Sequence, residues 1–280
     1  MCYLWKPGGN MMEVNTLYVQ TQGSFGHQAI IFLHAFPMTS DMWKEQMRHF
    51  SKTHYVLAPD LPGFGKGALP NHSVTFEHYV DSVLAFIKES GIKQSIWCGL
   101  SMGGYLALRL YEKAPELCCG LILANTKAVA DDNAAKNKRW SAIKNLYTHR
   151  DDFLEGQWAA MIGKSGLENV KLKKQFFDIV AKNSEDGISA GLVALATRND
   201  STELLASIDV PTLIIAGAED KVISISDAEV LNKGIKKSKL VIIQSAGHLS
   251  NLETPAQFNS VVADFLERYH TTSIHEVLMN

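Results

Sequence analysis

Seven short apolar runs divide this chain: NTLYVQ, AIIFLHAF, YVLAPDL, SIWCGL, GLILANT, TLIIAGA and KLVIIQSAG. Most are continuous stretches of β-branched, aliphatic or aromatic residues. A strand with apolar side chains on both faces of its pleat must be covered on both, which is the condition of a parallel strand in a sheet sandwiched by helices. Helical segments that supply those covers lie between several of the runs. SVTFEHYVDSVLAFIKESG has apolar residues at helical spacing and closes with Gly91. TPAQFNSVVADFLERYH opens with Thr254 as N-cap, Pro255 at the first helical position and Gln257 completing a capping box. The alternation predicts an α/β fold with a mostly parallel central sheet flanked by helices.

The alternation stops between Thr126 and about Asp200. DDNAAKNKRWSAIKNLYTHRDDFLEGQWAAMIGKSG and NVKLKKQFFDIVAKNSEDGISAGLVALATRND read as several short amphipathic helices, and a strand-type run resumes only at Val210. The expected organisation is one core, residues 1–125 and 206–280, carrying an inserted helical cap, residues 126–205. There is no internal repeat and no low-complexity tract.

Composition narrows the function classes. With 46% hydrophobic residues, 20% charged residues and a formal net charge of -2, the chain gives no reason to expect nucleic acid. The one basic cluster, NKGIKKSK (Asn232 to Lys239), reads as a solvated turn before the last strand. Cys2, Cys98, Cys118 and Cys119 do not make a disulfide framework, so a reducing, cytoplasmic setting is expected. The leading MCYLWKPGGNMMEV lacks a long apolar segment and breaks at Pro7-Gly8-Gly9. It reads as neither signal peptide nor membrane span, and its first ten residues as an extension without chemistry.

Chemistry concentrates at strand ends. Gly99-Leu100-Ser101-Met102-Gly103 spells GxSxG between the strand SIWCGL and the helix YLALRLYEK, the context this motif requires. A serine on so sharp a turn is strained, and side chains two residues either side must vanish for strand and helix to pass. The competing reading is a packing turn whose serine caps the helix. A serine hydroxyl is a weak nucleophile and needs a base, and the base needs an orienting group. TLIIAGAED ends in carboxylates at Glu219 and Asp220, and KLVIIQSAGH ends at His248. The order Ser, Asp, His, each just after a separate strand, is hard to obtain by accident. After the first long buried strand, the turn His34-Ala35-Phe36-Pro37 is placed to aim the Phe36 amide at the same spot as the Met102 amide, forming an oxyanion hole. The His34 side chain is read as holding that turn through backbone hydrogen bonds.

From about Leu17 to Tyr269 the chain resembles the α/β-hydrolase-fold serine hydrolases. The resemblance rests on LHAFP, DLPGFGKG, GLSMGG, GAEDKV and GHLSNLETP. It implies Ser101 as nucleophile, His248 as base, Asp220 in preference to Glu219 as orienting acid, and the Phe36 and Met102 amides as oxyanion hole. Ala35 departs from the family's usual glycine, which matters if that position needs a positive φ. The cap region resembles the esterases and enol-lactonases around 3-oxoadipate enol-lactonase.

The activity expected is hydrolysis of small carboxylic esters through an acyl-enzyme, with enol-lactone hydrolysis, C–C bond hydrolysis or perhydrolysis, or a small-molecule sensor with little turnover as alternatives. No metal or cofactor is expected: HExxH, Cys/His clusters, GxGxxG and the P-loop are absent from the sequence. In the cap, Arg139, Trp140, Trp158 and Met161 are the candidate substrate-binding residues, and Leu146, Tyr147 and Phe153 add apolar surface. An inward Arg139 predicts a carboxylate on the substrate.

Overall fold

The computed structural model describes residues 3–4, 12–13, 17–71 and 74–278, with burial and side chains described over 17–71 and 74–268. The expectations for Cys2 and for most of the leading ten residues lie outside the described residues. An antiparallel pair, β1 (Tyr3–Leu4) and β2 (Met12–Glu13), stands apart from the main sheet.

The seven apolar runs form the seven strands of that sheet: β3 (Tyr18–Gln22), β4 (Ala29–Leu33), β5 (Tyr55–Asp60), β6 (Ser95–Leu100), β7 (Cys118–Ala124), β8 (Thr212–Gly217) and β9 (Ser238–Ile243). Their order is β3-β5-β4-β6-β7-β8-β9, and every pairing is parallel except that of β3 with β5. Continuity of the apolar pattern translates into burial. Every residue of β4, β6, β7 and β8 is buried, whereas the edge strands β3 and β9 expose part of their length.

Helices α1 (Lys44–Phe50), α2 (Phe76–Glu89), α3 (Met102–Lys113), α8 (Ile225–Gly234), the short α9 (Ser250–Glu253) and α10 (Pro255–Leu278) surround the sheet. Helix α2 starts where Thr75 accepts the His78 amide, and Gly91 follows its end at φ +75°. Helix α10 begins at Pro255 as expected, and Thr254 before it takes the N-cap position, its carbonyl accepting the Phe258 amide at 2.9 Å. The Thr254 hydroxyl donates to the Ser250 carbonyl at 3.0 Å, tying it back to α9. The basic cluster is solvated as expected, with Lys237 paired to the exposed Asp209 at 2.8 Å.

Between β7 and β8 the chain forms α4 (Asn133–Thr148), α5 (Arg150–Met161), α6 (Val170–Val180) and α7 (Glu185–Ala196). Helix α6 is amphipathic and buries Leu172, Phe176, Ile179 and Val180. Helix α4 departs from the expected amphipathic pattern: it buries Leu146 alone. The segment docks through close backbone approaches. A methyl on Gly187 would lie 1.9 Å from the Gly63 carbonyl oxygen, so α7 and the 60–67 loop meet without intervening side chains. Beside this contact Asn183 donates to the Pro37 carbonyl at 2.6 Å and accepts the Gly65 amide at 2.7 Å.

Two alanine substitutions of opposite sign test this docking. Gly156→Ala, in the middle of α5 where the new methyl meets nothing within 4 Å, should stabilise by about 0.5–1 kcal/mol. Gly187→Ala should cost about 1–3 kcal/mol through overpacking and make residues 133–196 susceptible to limited proteolysis. Urea midpoints measured on both variants check the pair.

Candidate active site

The parallel register brings the ends of five strands into one row: Leu33 pairs with Gly99, Leu100 with Ala124, Ala124 with Ile215, and Gly217 with Ile243. The segments leaving those ends are the ones that carry candidate chemistry.

Ser101 leaves β6 with φ 55° and ψ -113° and leads directly into α3. The glycines around it remove side chains where backbones meet. A methyl on Gly99 would lie 2.1 Å from the Gly103 carbonyl oxygen, and one on Gly103 would lie 2.0 Å from that of Leu33. The strained turn is fixed by its own backbone. The Ser101 amide donates to Ala124 O at 2.9 Å, and its carbonyl accepts the Gly104 amide (2.9 Å), the Tyr105 amide (3.1 Å) and the Thr126 hydroxyl (2.9 Å). The Ser101 side chain makes no capping hydrogen bond to α3. That disposes of the helix-cap reading and leaves the hydroxyl available.

His248 is wholly buried, and its Nδ1 lies 2.9 Å from Asp220 Oδ2. Its Nε2 is buried without a hydrogen-bond partner among the described residues. Asp220 Oδ1 accepts the Val222 and Ile223 amides at 2.8 and 3.0 Å, and Oδ2 also accepts Asn125 Nδ2 at 2.9 Å. Burial works against the Asp220 carboxylate. The charge and hydrogen bond of His248, the Ile223 amide and Asn125 outweigh it and hold the carboxyl below its ordinary range. Glu219, the alternative carboxylate, faces elsewhere and accepts the Ser165 amide and hydroxyl at 2.8 and 2.6 Å.

The turn after β4 behaves as expected of its histidine. His34 Nδ1 lies 2.9 Å from Ala35 O, and Nε2 accepts the Leu61 amide at 3.1 Å, the pattern of a neutral ring. Burial lowers its pKa against the opposing pulls of the Ala35 carbonyl and Asp60. Ala35 costs no left-handed strain. Among the described residues only Ser101 and Asn125 are non-glycine positions with positive φ.

A cavity of about 480 Å³ is lined by Ser101, His248 and Phe36 on the core side and by Arg139, Met161 and Leu192 on the helical side. Met102 follows Ser101 as the first residue of α3, so its amide has no carbonyl partner within the helix. Of the four candidate residues between β7 and β8, the structure brings Arg139 and Met161 to the cavity and corrects the other two. Trp140 is 46% exposed on α4, and Trp158 is buried edge-on against Phe176. Each is the chain neighbour of a cavity residue, Arg139 or Gln157, and one step along a helix turns the next side chain by about 100° to another face.

Two residues of this neighbourhood escaped the sequence reading. Asn125 stands at the end of β7 with φ 47°. It donates to both Asp220 Oδ2 and Gly247 O and accepts the Ser250 hydroxyl at 2.6 Å. Its signal was a polar residue of a type that tolerates left-handed geometry, closing an apolar run. Glu253 is the other, the sole carboxylate of GHLSNLETP.

This is a hydrolase that belongs to the alpha/beta hydrolase fold family, whose model matches residues 28–255. Among its relatives, 3-oxoadipate enol-lactonase 2 of Acinetobacter baylyi is 28% identical over 253 residues, covering 89% of this chain and 92% of that protein. The AB hydrolase superfamily protein YisY of Bacillus subtilis is 29% identical over 262 residues, covering 89% and 95%. A thermophilic esterase from Thermogutta terrifontis, solved with malate bound, superposes with a TM-score of 0.86 at 27% identity, covering 91% of this chain and 94% of its own. No helix among the described residues is long and apolar enough to cross a membrane.

Because the folded Asp220 carboxyl titrates below its unfolded value of 3.8, its contribution to stability is complete above about pH 5 and is lost as pH falls through the folded value. Asp220→Asn removes that dependence. The unfolding free energy of the variant, measured with urea, should fall less steeply than that of the wild type between about pH 5 and pH 2.

Proposed function

We propose that this enzyme hydrolyses small carboxylic esters through an acyl-enzyme on Ser101. One observation carries the reading. His248 is held at Nδ1 by Asp220 while its Nε2 has no partner among the described residues, in the wall of the cavity that also contains the uncommitted Ser101 hydroxyl. In this reading Nε2 takes the Ser101 proton as Oγ attacks the acyl carbon, and Asp220 stabilises the resulting imidazolium. The tetrahedral oxyanion is met by the Phe36 and Met102 amides, the latter at the positive end of α3. The imidazolium then protonates the leaving alcohol. A water deprotonated by the same Nε2 attacks the acyl-enzyme, releasing the acid and restoring Ser101.

Residues 126–205 act in this scheme as a cap over a core of residues 1–125 and 206–280, and the cap supplies the distal wall of the substrate cavity. The buried cysteines Cys98, Cys118 and Cys119, outside any disulfide among the described residues, suit a reducing, cytoplasmic setting.

The charge of the cavity lining supports a second, narrower reading, an ester or lactone whose substrate bears a carboxylate, in keeping with the name of the Acinetobacter relative. Lys127, Lys138, Arg139 and Lys221 face the cavity against the single carboxylate of Asp131. Asp131 is itself shared between Arg139 Nε and the buried Arg198, so it steadies Arg139 while leaving the far edge of the guanidinium free for a bidentate anion contact.

Steady turnover of p-nitrophenyl acetate to longer esters tests the first reading. Ser101→Ala should reduce kcat by about 10⁴-fold or more, and wild-type protein that turns over none of them, or releases one equivalent only, would sink it. For the second, Arg139→Ala should raise KM about tenfold for an ester carrying a free carboxylate while leaving neutral esters unchanged. Equal effects on both classes would remove the carboxylate reading.

A further inference from the structure

The segments that carry Asp220 and His248 both hydrogen-bond to residues 159–165, the end of α5 and the turn that follows it. Glu253 Oε2 accepts the amides of Gly163 at 2.8 Å and Gly247 at 3.0 Å, and its Oε1 accepts that of Leu249 at 3.0 Å. Gly247 and Leu249 are the chain neighbours of His248, so one carboxylate grips the backbone on either side of the imidazole. The His248 amide itself donates to the Met161 carbonyl at 2.8 Å.

The neighbours of Asp220 hold the same turn. Glu219 binds Ser165 by amide and hydroxyl, and Lys221 donates to the carbonyls of Ala159 and Ile162 at 3.2 and 3.3 Å. Gly163 lies between the two carboxylates with no room to spare: a methyl there would stand 2.7 Å from both Glu219 Oε2 and the Gly247 nitrogen. Residues 159–165 thus cross-link the two loops.

We propose that Glu253 is a positioning residue for the reaction: it fixes the backbone on both sides of His248 and locks that backbone to residues 161–165, so that the base and the floor of the cap move as one body. This rests on the reading of His248 as the base. Asp220 alone restrains the ring at one atom. The angle at which Nε2 meets a substrate-bound Ser101 also depends on the backbone from which the ring hangs, and misplacement of a catalytic group by about 1 Å is worth about 10²-fold in rate. Glu253 is buried enough that desolvation raises its pKa, against the three amide bonds that favour the charged form. Because Met161 also lines the cavity, a substrate seated against it bears on the carbonyl that holds the His248 amide.

The test is Glu253→Gln in the full chain. A carboxamide offers one acceptor oxygen where the carboxylate offers two, and turns an NH2 group toward an amide donor. The expected result is a kcat about 10²-fold lower with KM within about twofold of wild type, since the lesion lies in alignment and not in substrate binding. It should come with a shift or broadening of the low-field proton resonance of His248 Nδ1–H, assigned by its loss in Asp220→Asn. An unchanged kcat, or an unchanged resonance in a protein whose only defect is a lower Tm, would overturn the proposal. If Glu253→Gln does not fold, Glu253→Asp, which keeps the charge but is too short to reach both sides, is read in the same two ways. Should the wild type show no Ser101-dependent ester turnover, the esterase reading fails, and the resonance alone then decides the role of Glu253.

Discussion

The close approach of bare backbone around Ser101 is the constraint on which the rest of the structure depends. Strand β6 can deliver a side chain to the sheet edge at φ 55° only because no side chain stands between Gly99 and Gly103, or between Gly103 and the Leu33 carbonyl. A left-handed serine costs on the order of 1–3 kcal/mol and persists where its surroundings over-determine it. Here four hydrogen bonds to its amide and carbonyl do so, and none uses the hydroxyl. Strain in the main chain and freedom in the side chain are two sides of one arrangement.

A second layer of polar contacts organises the groups around that serine. Asn125 joins the Asp220 carboxylate to the Gly247 carbonyl, and Ser250 closes the circuit onto Asn125. Behind them a buried amide network of Gln46, Asn251 and Asn259 ties α9 and α10 to α1. Each group is desolvated, so each lost partner would leave an orphan costing about 1–3 kcal/mol. That penalty keeps the loops after β7, β8 and β9 in mutual register.

The sequence was most informative where burial and chemistry coincide. Continuous apolar runs were strands because being covered on both faces leaves no other pattern. Ser101, Asp220 and His248 were visible because each closes such a run. His34 and Phe36 followed from the turn after β4, and Ala35 proved harmless because its φ is not positive. The distal wall was much less legible. Arg139 and Trp140 are adjacent residues of one helix, yet one faces the cavity and the other water, and Trp158 is spent on Phe176. Which face of a helix turns inward is decided by the neighbours it packs against, and α4, with only Leu146 buried, carries almost no periodic signal of its own. Asn125 and Glu253 were missed for a related reason: each reaches at least one partner distant in sequence, and no spacing rule anticipates a contact such as Asn125 with Asp220 or Glu253 with Gly163 across 90 residues.

The shallow seating of α4 separates two kinds of information. Residues that hold the fold lie in β4, β6, β7, β8 and α3, where almost every position is buried and a change of one methylene is felt throughout. Lys138 and Arg139, two of the four cations that line the cavity, sit on a helix most of whose side chains touch water. Substitutions there alter the charge of the cavity without disturbing the buried packing of the sheet from whose strand ends Ser101 and His248 leave. A lineage carrying this architecture can therefore explore new substrates by drift along one exposed helix, with its folding stability barely engaged.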